Sequence, residues 1–219
     1  MSEGALSTAL GRSAPGRRVL PLGDHGILVE LESLDAVISV YAALDAARPE
    51  GVVDLVPAAR TIGVMVDPVR LPLSVAAAWA SGTKPADLRA AEPQTVVIPV
   101  RYTGEDVDEV AGLLGMTRPE LVALHTASDW TVAFCGFAPG FAYLVTDHDR
   151  LRVPRRASPR PSVPAGSVGL AGEFSGVYPR SSPGGWQLIG STDAVLWDAS
   201  AERPARLAPG TRVRFVEQR

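Results

Sequence analysis

The chain has 219 residues, a formal net charge of −3 and a pI near 5.6. Hydrophobic residues make up 46% of it and charged residues 21%, which is enough for a sizeable core in one large or two small domains. The acidic balance argues against a general nucleic-acid binder. No apolar run approaches the roughly 20 residues that cross a bilayer, so we also expect no membrane partner.

The side chains that most often hold structural metals are scarce. Cys135 is the only cysteine, which excludes an intrachain disulfide and a zinc site built on several cysteines. A single thiol also fits the reducing cytoplasm, where we expect this protein to act. The histidines at 25, 125 and 148 lack the spacing of paired metal ligands, so we expect no metal site.

The N-terminal part predicts a small α+β domain over residues 18–92. Residues 1–17 lack the apolar centre of a secretory signal, and we interpret them as a mobile tail. Apolar periodicity then predicts two strands and a helix, followed by two more strands and a second helix. Helices that follow strand pairs in this way pack on one face of a sheet. The expected strands are 18–22, 26–31, 52–56 and 61–66, and the expected helices are 34–47, capped by Ser33, and 73–81.

The remaining residues, 93–219, predict a mainly β domain that closes into a barrel. We place the boundary after residue 92, where a polar segment ends in proline. A strand is expected at 95–102, with Pro99 confining it to a sheet edge or a bulge. Short helices are expected at 106–114 and 117–125, the second with Thr117 and Glu120 as a capping box, and closing strands at 193–198 and 212–216. Many short strands leave many edges, and a barrel removes them.

The stretch from residue 131 to 190 carries the strongest functional signal. Sixteen glycines and prolines fall between Gly136 and Gly190, interleaved with aromatic residues. Such residues fix or permit special backbone angles, so the stretch predicts rigid loops over a β core rather than a flexible linker. Two interpretations remain open. The loops carry a binding site, as loops on a rigid scaffold often do, or they are only the tight corners of the barrel.

A cationic cluster lies within this stretch. Its members are Arg152, Arg155, Arg156 and Arg160, spaced by prolines at 154, 159 and 161. A stiff backbone lowers the cost of ordering guanidinium groups around a carboxylate or phosphate. The cluster is therefore either an anion site or a solvated basic loop. The nearby run of Gly184, Gly185 and Trp186 offers backbone donors and a stacking ring.

Two further side chains are candidates for chemistry. His125 falls at the end of a predicted helix, where it is either a partner of the helix dipole or an acid–base group. Cys135 lies in the apolar run FCGF, which favours a buried inert thiol over a nucleophile activated by His125. The phosphate loop GxxxxGK[ST], the dinucleotide fingerprint GxGxxG and the serine elbow GxSxG are all absent from the sequence.

Several long motifs resemble the signatures of the KipI family, whose members are called the B subunit of 5-oxoprolinase or allophanate hydrolase subunit 1. The motifs are IPVRYTGED, GFAPGFAYL, PRRASPR, VPAGSVGLAG, GVYP and SPGGWQLIG, and the resemblance covers about residues 18–217. It implies an α+β N-terminal domain followed by a mainly β, cyclophilin-like barrel domain. It also implies a relationship to the carboxyltransferase region of urea carboxylase.

The resemblance further implies partners and a reaction. The partners are the homologous C subunit, also called allophanate hydrolase subunit 2, and a third protein, the A subunit. The reaction is the ATP-dependent opening of 5-oxoproline to glutamate, with ATP and magnesium bound at a site shared with a partner protein. An alternative is a KipI-like binding module that inhibits a sensor histidine kinase. Hydrolysis of allophanate ranks lower, because the sequence lacks the serine amidase signature.

Site residues follow from the same resemblance. His125 is expected to be an acid–base group or ligand contact, and Arg155 and Arg160 are expected to contact an anion. The expected substrate-binding residues are Tyr178, Gly184, Gly185, Trp186 and Gln187. One departure concerns Phe174, which stands where members of the family often carry glutamine.

Overall fold

The computed structural model describes residues 17–87 and 95–218. Its contacts group the chain into two compact units, Met1–Glu92 and Pro93–Arg219. The division into two domains that fold separately stays a prediction. Residues 1–16 of the expected mobile tail lie outside the described residues, whereas Arg17 begins the first strand.

The first unit is a four-stranded antiparallel sheet with two helices. The strand order is β1-β2-β4-β3, and the helices pack against the sheet. All six elements fall within two residues of their predicted bounds. The elements are β1 (Arg17–Pro21), β2 (Gly26–Leu31), α1 (Leu34–Ala46), β3 (Val52–Pro57), β4 (Thr61–Val66) and α2 (Leu73–Gly82).

Local sequence explains why these elements form where they do. The Ser33 side chain accepts a hydrogen bond from the Ala36 amide at 3.2 Å and so caps α1, as predicted. Alternate residues of β2 and one face of α1 are buried against each other in the core of this unit. The Arg17 guanidinium donates to the carbonyl oxygen of Ala80 at 3.0 Å, which ties the first strand to the end of α2.

The second unit is built on a seven-stranded sheet of order β12-β9-β10-β7-β6-β13-β5. Neighbouring strands are antiparallel except for the parallel pair β13 and β5. Strands β8 and β11 form a separate two-stranded sheet. The elements are β5 (Thr95–Val100), α3 (Val107–Leu113), α4 (Arg118–Ala127), β6 (Trp130–Cys135), β7 (Ala142–Val145), β8 (Arg160–Val163), β9 (Ser167–Ala171), β10 (Phe174–Val177), β11 (Ser182–Gly184), β12 (Gln187–Ser191) and β13 (Arg212–Glu217).

Contacts between the two ends of this sheet nearly close it into a barrel. Strand β5, which contains Pro99, lies at the edge of the order, as predicted. Just beyond β5, Arg101 exchanges two backbone hydrogen bonds with Ser191 on β12, at 2.8 and 2.9 Å. Gly104 then approaches β12 so closely that a Cβ atom there would lie 2.3 Å from the Leu188 carbonyl oxygen. The unit is thus a mostly β, barrel-like fold, while its cyclophilin-like character stays a prediction.

One predicted strand is wrong. Residues 193–198 form no strand, and only Trp197 makes an isolated bridge, to Ala205. The physical reason is that its backbone groups are satisfied outside the sheet. The Ala194 amide donates to the Thr192 hydroxyl, and Leu196 and Asp198 pair with the loop at residues 204–206. In the described ranges, no helix has both the length and the apolar character that crossing a membrane requires.

Candidate functional site

His125 lies in the core of the barrel rather than on a surface. Its side chain has no exposed area, its Nδ1 is 2.8 Å from the Tyr102 hydroxyl, and its Nε2 is 3.1 Å from the Ser175 hydroxyl. Burial lowers the pKa of His125 to about 3, so the ring is neutral at pH 7. The Ser175 hydroxyl is within 3.4 Å of the Gly169 carbonyl, which makes it a donor there and an acceptor from Nε2–H.

Tyr102 therefore donates to Nδ1, and every polar atom of the imidazole has a partner inside the core. Helix α4 begins at the predicted capping box. Its last turn contains His125, which is buried against the sheet. This placement supports a structural role for His125. Its acid–base role stays a prediction.

Arg156 and Arg160 bind carboxylates of the protein itself. Asp106, which is buried, accepts from Arg156 Nη1 at 2.7 Å and from Arg160 Nη2 at 2.8 Å. Asp106 also accepts from the Leu188 amide at 2.7 Å, and Glu105 accepts from Arg160 Nη2 at 3.0 Å. Burial on its own would raise the pKa of Asp106, but these donors and cations hold it below its ordinary value. Two cations of the predicted cluster are thus already paired.

Sequence reasoning missed Asp106. The only signal was the motif IPVRYTGED, which ends at this residue and belongs to the resemblance described above. Nothing local indicated that a residue after a strand would be buried beneath arginines that lie 50 and 54 positions later.

Arg155, like Arg152, differs from these two arginines. Its side chain is exposed, and it forms no ion pair with any residue that the structure describes. Burial raises the pKa of Tyr143 and of Tyr178, and the positive charge of Arg155 acts on both hydroxyls in the opposite direction. Arg155 is therefore an available cation whose charge acts on two tyrosines.

An aromatic cluster lies beside Arg155. Phe141, Tyr143, Tyr178 and Trp186 meet edge to face, with ring centroids between 5.1 and 6.4 Å apart. Gly184 lies so near the Tyr178 hydroxyl that a Cβ atom would be 2.4 Å from it. The absence of a side chain at this glycine therefore makes room for the tyrosine.

The structure thus brings the predicted substrate-binding residues together, but mostly below the surface. Tyr178, Trp186 and Gln187 are buried, while Gly184 and Gly185 are partly exposed. The Gln187 side-chain amide donates to the Pro154 carbonyl at 3.5 Å, and the Gly185 carbonyl accepts from the Arg156 amide at 2.9 Å. These residues support the loop that carries Arg155.

Phe137 is the second residue that sequence reasoning missed. Its φ is +68°, in the left-handed region, and 59% of the residue is exposed. A bulky residue in this region costs about 1–3 kcal/mol, and such strain concentrates at functional sites. The ring lies 5.3 Å from Phe141 and 6.2 Å from Tyr178, at the rim of the aromatic cluster. Phe174 lies within the same group of rings, with its centroid 5.5 Å from that of Tyr143.

Cys135 behaves as the sequence indicates. The thiol is half-buried, contacts the Leu207 carbonyl at 3.4 Å, and has its pKa raised to about 11 by burial. A thiol with so little thiolate at neutral pH is a poor nucleophile.

A cavity of about 640 Å³ lies apart from the loop that carries Arg155 and from the aromatic cluster. It is lined by residues of α4 and of the ends of β5 and β13, among them Arg101, Tyr102 and Arg118. Its two guanidinium groups are each held by two hydrogen bonds to a carboxylate, of Asp193 and Asp108. The loop that carries Arg155 has an available cation, so it is chemically the better candidate for an anionic ligand.

The barrel-like sheet and its loops are those of a carboxyltransferase domain. The family model "Carboxyltransferase domain, subdomain C and D" matches residues 17–207, and the chain belongs to this family. The chain is 36% identical over 216 residues to the B subunit of 5-oxoprolinase from Bacillus subtilis. This alignment covers 89% of this chain and 90% of the relative. It is 40% identical over 206 residues to the protein of the same name from Escherichia coli O157:H7, covering 90% and 94%. The resemblance noted from the motifs is therefore confirmed.

Solved structures agree with this placement. A conserved uncharacterized protein of Pyrococcus horikoshii, PH0987, is 32% identical with a TM-score of 0.55, over 91% of this chain and 97% of its own. TTHA0988 matches with a TM-score of 0.76 at 36% identity, over 89% of this chain, which spans only 40% of that chain. The urea carboxylase of Kluyveromyces lactis matches with a TM-score of 0.73 at 19% identity, over 93% of this chain and 22% of its own, and this shows the fold alone.

Proposed function

We propose that this chain is the B subunit of a 5-oxoprolinase, a hetero-oligomeric enzyme of the cytoplasm that opens 5-oxoproline to glutamate at the expense of ATP. The observation that carries the proposal is the near-complete match to relatives of that name, of which the chain covers 90% and 94%. The cation and aromatic rings on one group of loops support it, because the substrate is a small cyclic carboxylate.

The chemistry requires activation of the substrate. A lactam is a poor electrophile, and phosphorylation of its oxygen would make attack by water feasible. The phosphate that forms then needs cationic or N–H stabilisation. The reaction is complete when water has added to the activated carbon, the ring C–N bond has broken and phosphate has left, giving glutamate, ADP and phosphate.

We propose that the described residues of this chain form only part of a nucleotide and magnesium site. They contain no group of three histidine, cysteine or acidic side chains that could hold a metal ion, and the sequence has no phosphate loop. In our proposal, ATP and magnesium are bound at a site that this chain shares with its partner proteins, the C and A subunits. This chain supplies binding surface for 5-oxoproline.

Reconstitution tests the proposal. The chain is co-purified with its C-type partner and supplied with the A-type partner, ATP and 5-oxoproline, and glutamate is measured. We expect glutamate only when all three proteins are present. Equal glutamate formation without this chain would contradict the proposal. No hydrolysis with all three present, together with tight binding to a sensor histidine kinase, would instead favour the alternative of a kinase inhibitor.

A further inference from the structure

We infer that Arg155, Phe137 and Tyr143 form a site for a small carboxylate carried on a flat ring, and that this site holds 5-oxoproline in the complex. The inference rests on the proposed function and assigns the substrate to particular residues. It departs from the motif-based expectation in two ways. Arg160 is replaced as the anion contact, and an exposed phenylalanine is added as the wall of the site.

The charge of Arg155 is available to a ligand. Arg156 and Arg160 are neutralised by Asp106 and Glu105 through hydrogen bonds of 2.7–3.0 Å. Arg155 lies beside them on the same segment, yet it is exposed and has no ion pair within the described ranges. A guanidinium group can grip a carboxylate through two parallel hydrogen bonds. Arg152 is also exposed and has no ion pair within the described ranges, but Arg155 adjoins Arg156, whose amide donates to Gly185 next to Trp186 of the aromatic cluster. Arg155 is therefore the available cation that we assign to the site.

The backbone around Arg155 is already ordered before a ligand binds. The residues on both sides of Arg155 are fixed, because the Pro154 carbonyl accepts from Gln187 and the Arg156 amide donates to Gly185. Arg156 is also tied to buried Asp106 by its side chain. Ligand binding then orders only the Arg155 side chain rather than the loop, which reduces the entropic cost.

Phe137, at the rim of the aromatic cluster, has a strained backbone. The loop that carries Phe137 is closed by hydrogen bonds from the Gly136 amide to the Phe141 carbonyl at 3.2 Å and from the Phe141 amide to the Ala138 carbonyl at 3.0 Å. These bonds hold Phe137 at its positive φ and leave its ring exposed beside Tyr178. A phenylalanine that is kept exposed at the cost of backbone strain is suited to contact a ligand.

The chemistry of the substrate matches these groups. The carboxylate of 5-oxoproline pairs with Arg155, the flat lactam ring lies against Phe137, and the half-buried Tyr143 hydroxyl adds a donor next to the cation. The carboxylate is unchanged during ring opening, so its contact stabilises the ground state and the transition state equally. The lactam oxygen stays free for phosphorylation.

The test compares two arginines of equal charge in the reconstituted complex. Arg155→Ala removes the proposed contact, and Arg150→Ala is the matched control, because Arg150 is exposed on a neighbouring loop. We expect Arg155→Ala to raise the KM for 5-oxoproline about 10- to 100-fold, the range typical of a charge-assisted hydrogen bond, with kcat within about twofold. Arg150→Ala is expected to leave both constants within about twofold.

A competitor without the carboxylate separates the two contacts. 2-Pyrrolidone has the same ring, so Arg155→Ala should leave its inhibition constant unchanged, whereas Phe137→Ala should weaken its binding several-fold. If the complex hydrolyses 5-oxoproline but Arg155→Ala and Arg150→Ala have the same KM, the inference is overturned and the proposed function stands. If the wild-type complex does not hydrolyse 5-oxoproline at all, the proposed function itself is overturned, and the inference with it.

Discussion

Replacing His125 with glutamine should reduce the sensitivity of this protein to mild acid. In the folded protein His125 has a pKa of about 3, because burial disfavours its charged form. In the unfolded chain a histidine has a pKa of about 6.5. Between these values the unfolded state binds a proton that the folded state does not, so stability falls as the pH decreases from about 6.5 towards 3.

The magnitude follows from the two pKa values. At pH 5 the linkage costs about 2 kcal/mol relative to pH 7.5, and the cost approaches about 5 kcal/mol below pH 3. Glutamine can accept a hydrogen bond from Tyr102 and donate one to Ser175, but it does not titrate. His125→Gln should therefore be less stable than the wild type at pH 7.5, yet lose about 2 kcal/mol less on acidification to pH 5.

Urea unfolding at the two pH values measures this difference. His25→Gln is the matched control, because it makes the same replacement at an exposed position. If wild type and His125→Gln lose the same stability between pH 7.5 and pH 5, then His125 is not a neutral core residue, and our account of the buried hydrogen-bond chain is wrong.

Three further predictions concern stability and reactivity. Asp106→Asn should cost about 2–4 kcal/mol in urea unfolding, because it removes the buried carboxylate that two partly buried arginines share, whereas Asp108→Asn, which breaks an exposed pair, should cost clearly less; equal losses would contradict the network. Phe137→Gly should be more stable than Phe137→Ala by about 1 kcal/mol, the reverse of the usual order, because the site has a positive φ; the usual order would show that no strain is present. Cys135 should react with iodoacetamide at pH 8 only after unfolding in urea, and rapid labelling of the native protein would refute the raised pKa of its thiol.

Elements with local determinants could be predicted from the sequence. The cap at Ser33 and the capping box at Thr117 and Glu120 lie within three residues of the amides or hydroxyls that they bind, so short motifs reveal them. The strands of the first unit show clear periodicity between turns, and the edge position of β5 followed from a single proline, Pro99.

Features that depend on distant contacts could not be predicted. The pairing of Asp106 with two arginines joins residues that lie 50 and 54 positions apart, and no periodic pattern encodes it. The positive φ of Phe137 arises from hydrogen bonds within a loop whose sequence has glycines at other positions. The segment 193–198 has an apolar run that suggests a strand, but its backbone groups pair with the loop at residues 204–206 rather than with the sheet.

The most direct test of the central claim follows ADP and glutamate in the same reaction, with the chain present in the reconstituted complex or left out. The proposed function predicts that ADP release depends on 5-oxoproline, matches glutamate formation mole for mole, and disappears when this chain is omitted. ADP release that is indifferent to 5-oxoproline, or glutamate formation that continues without this chain, would contradict it.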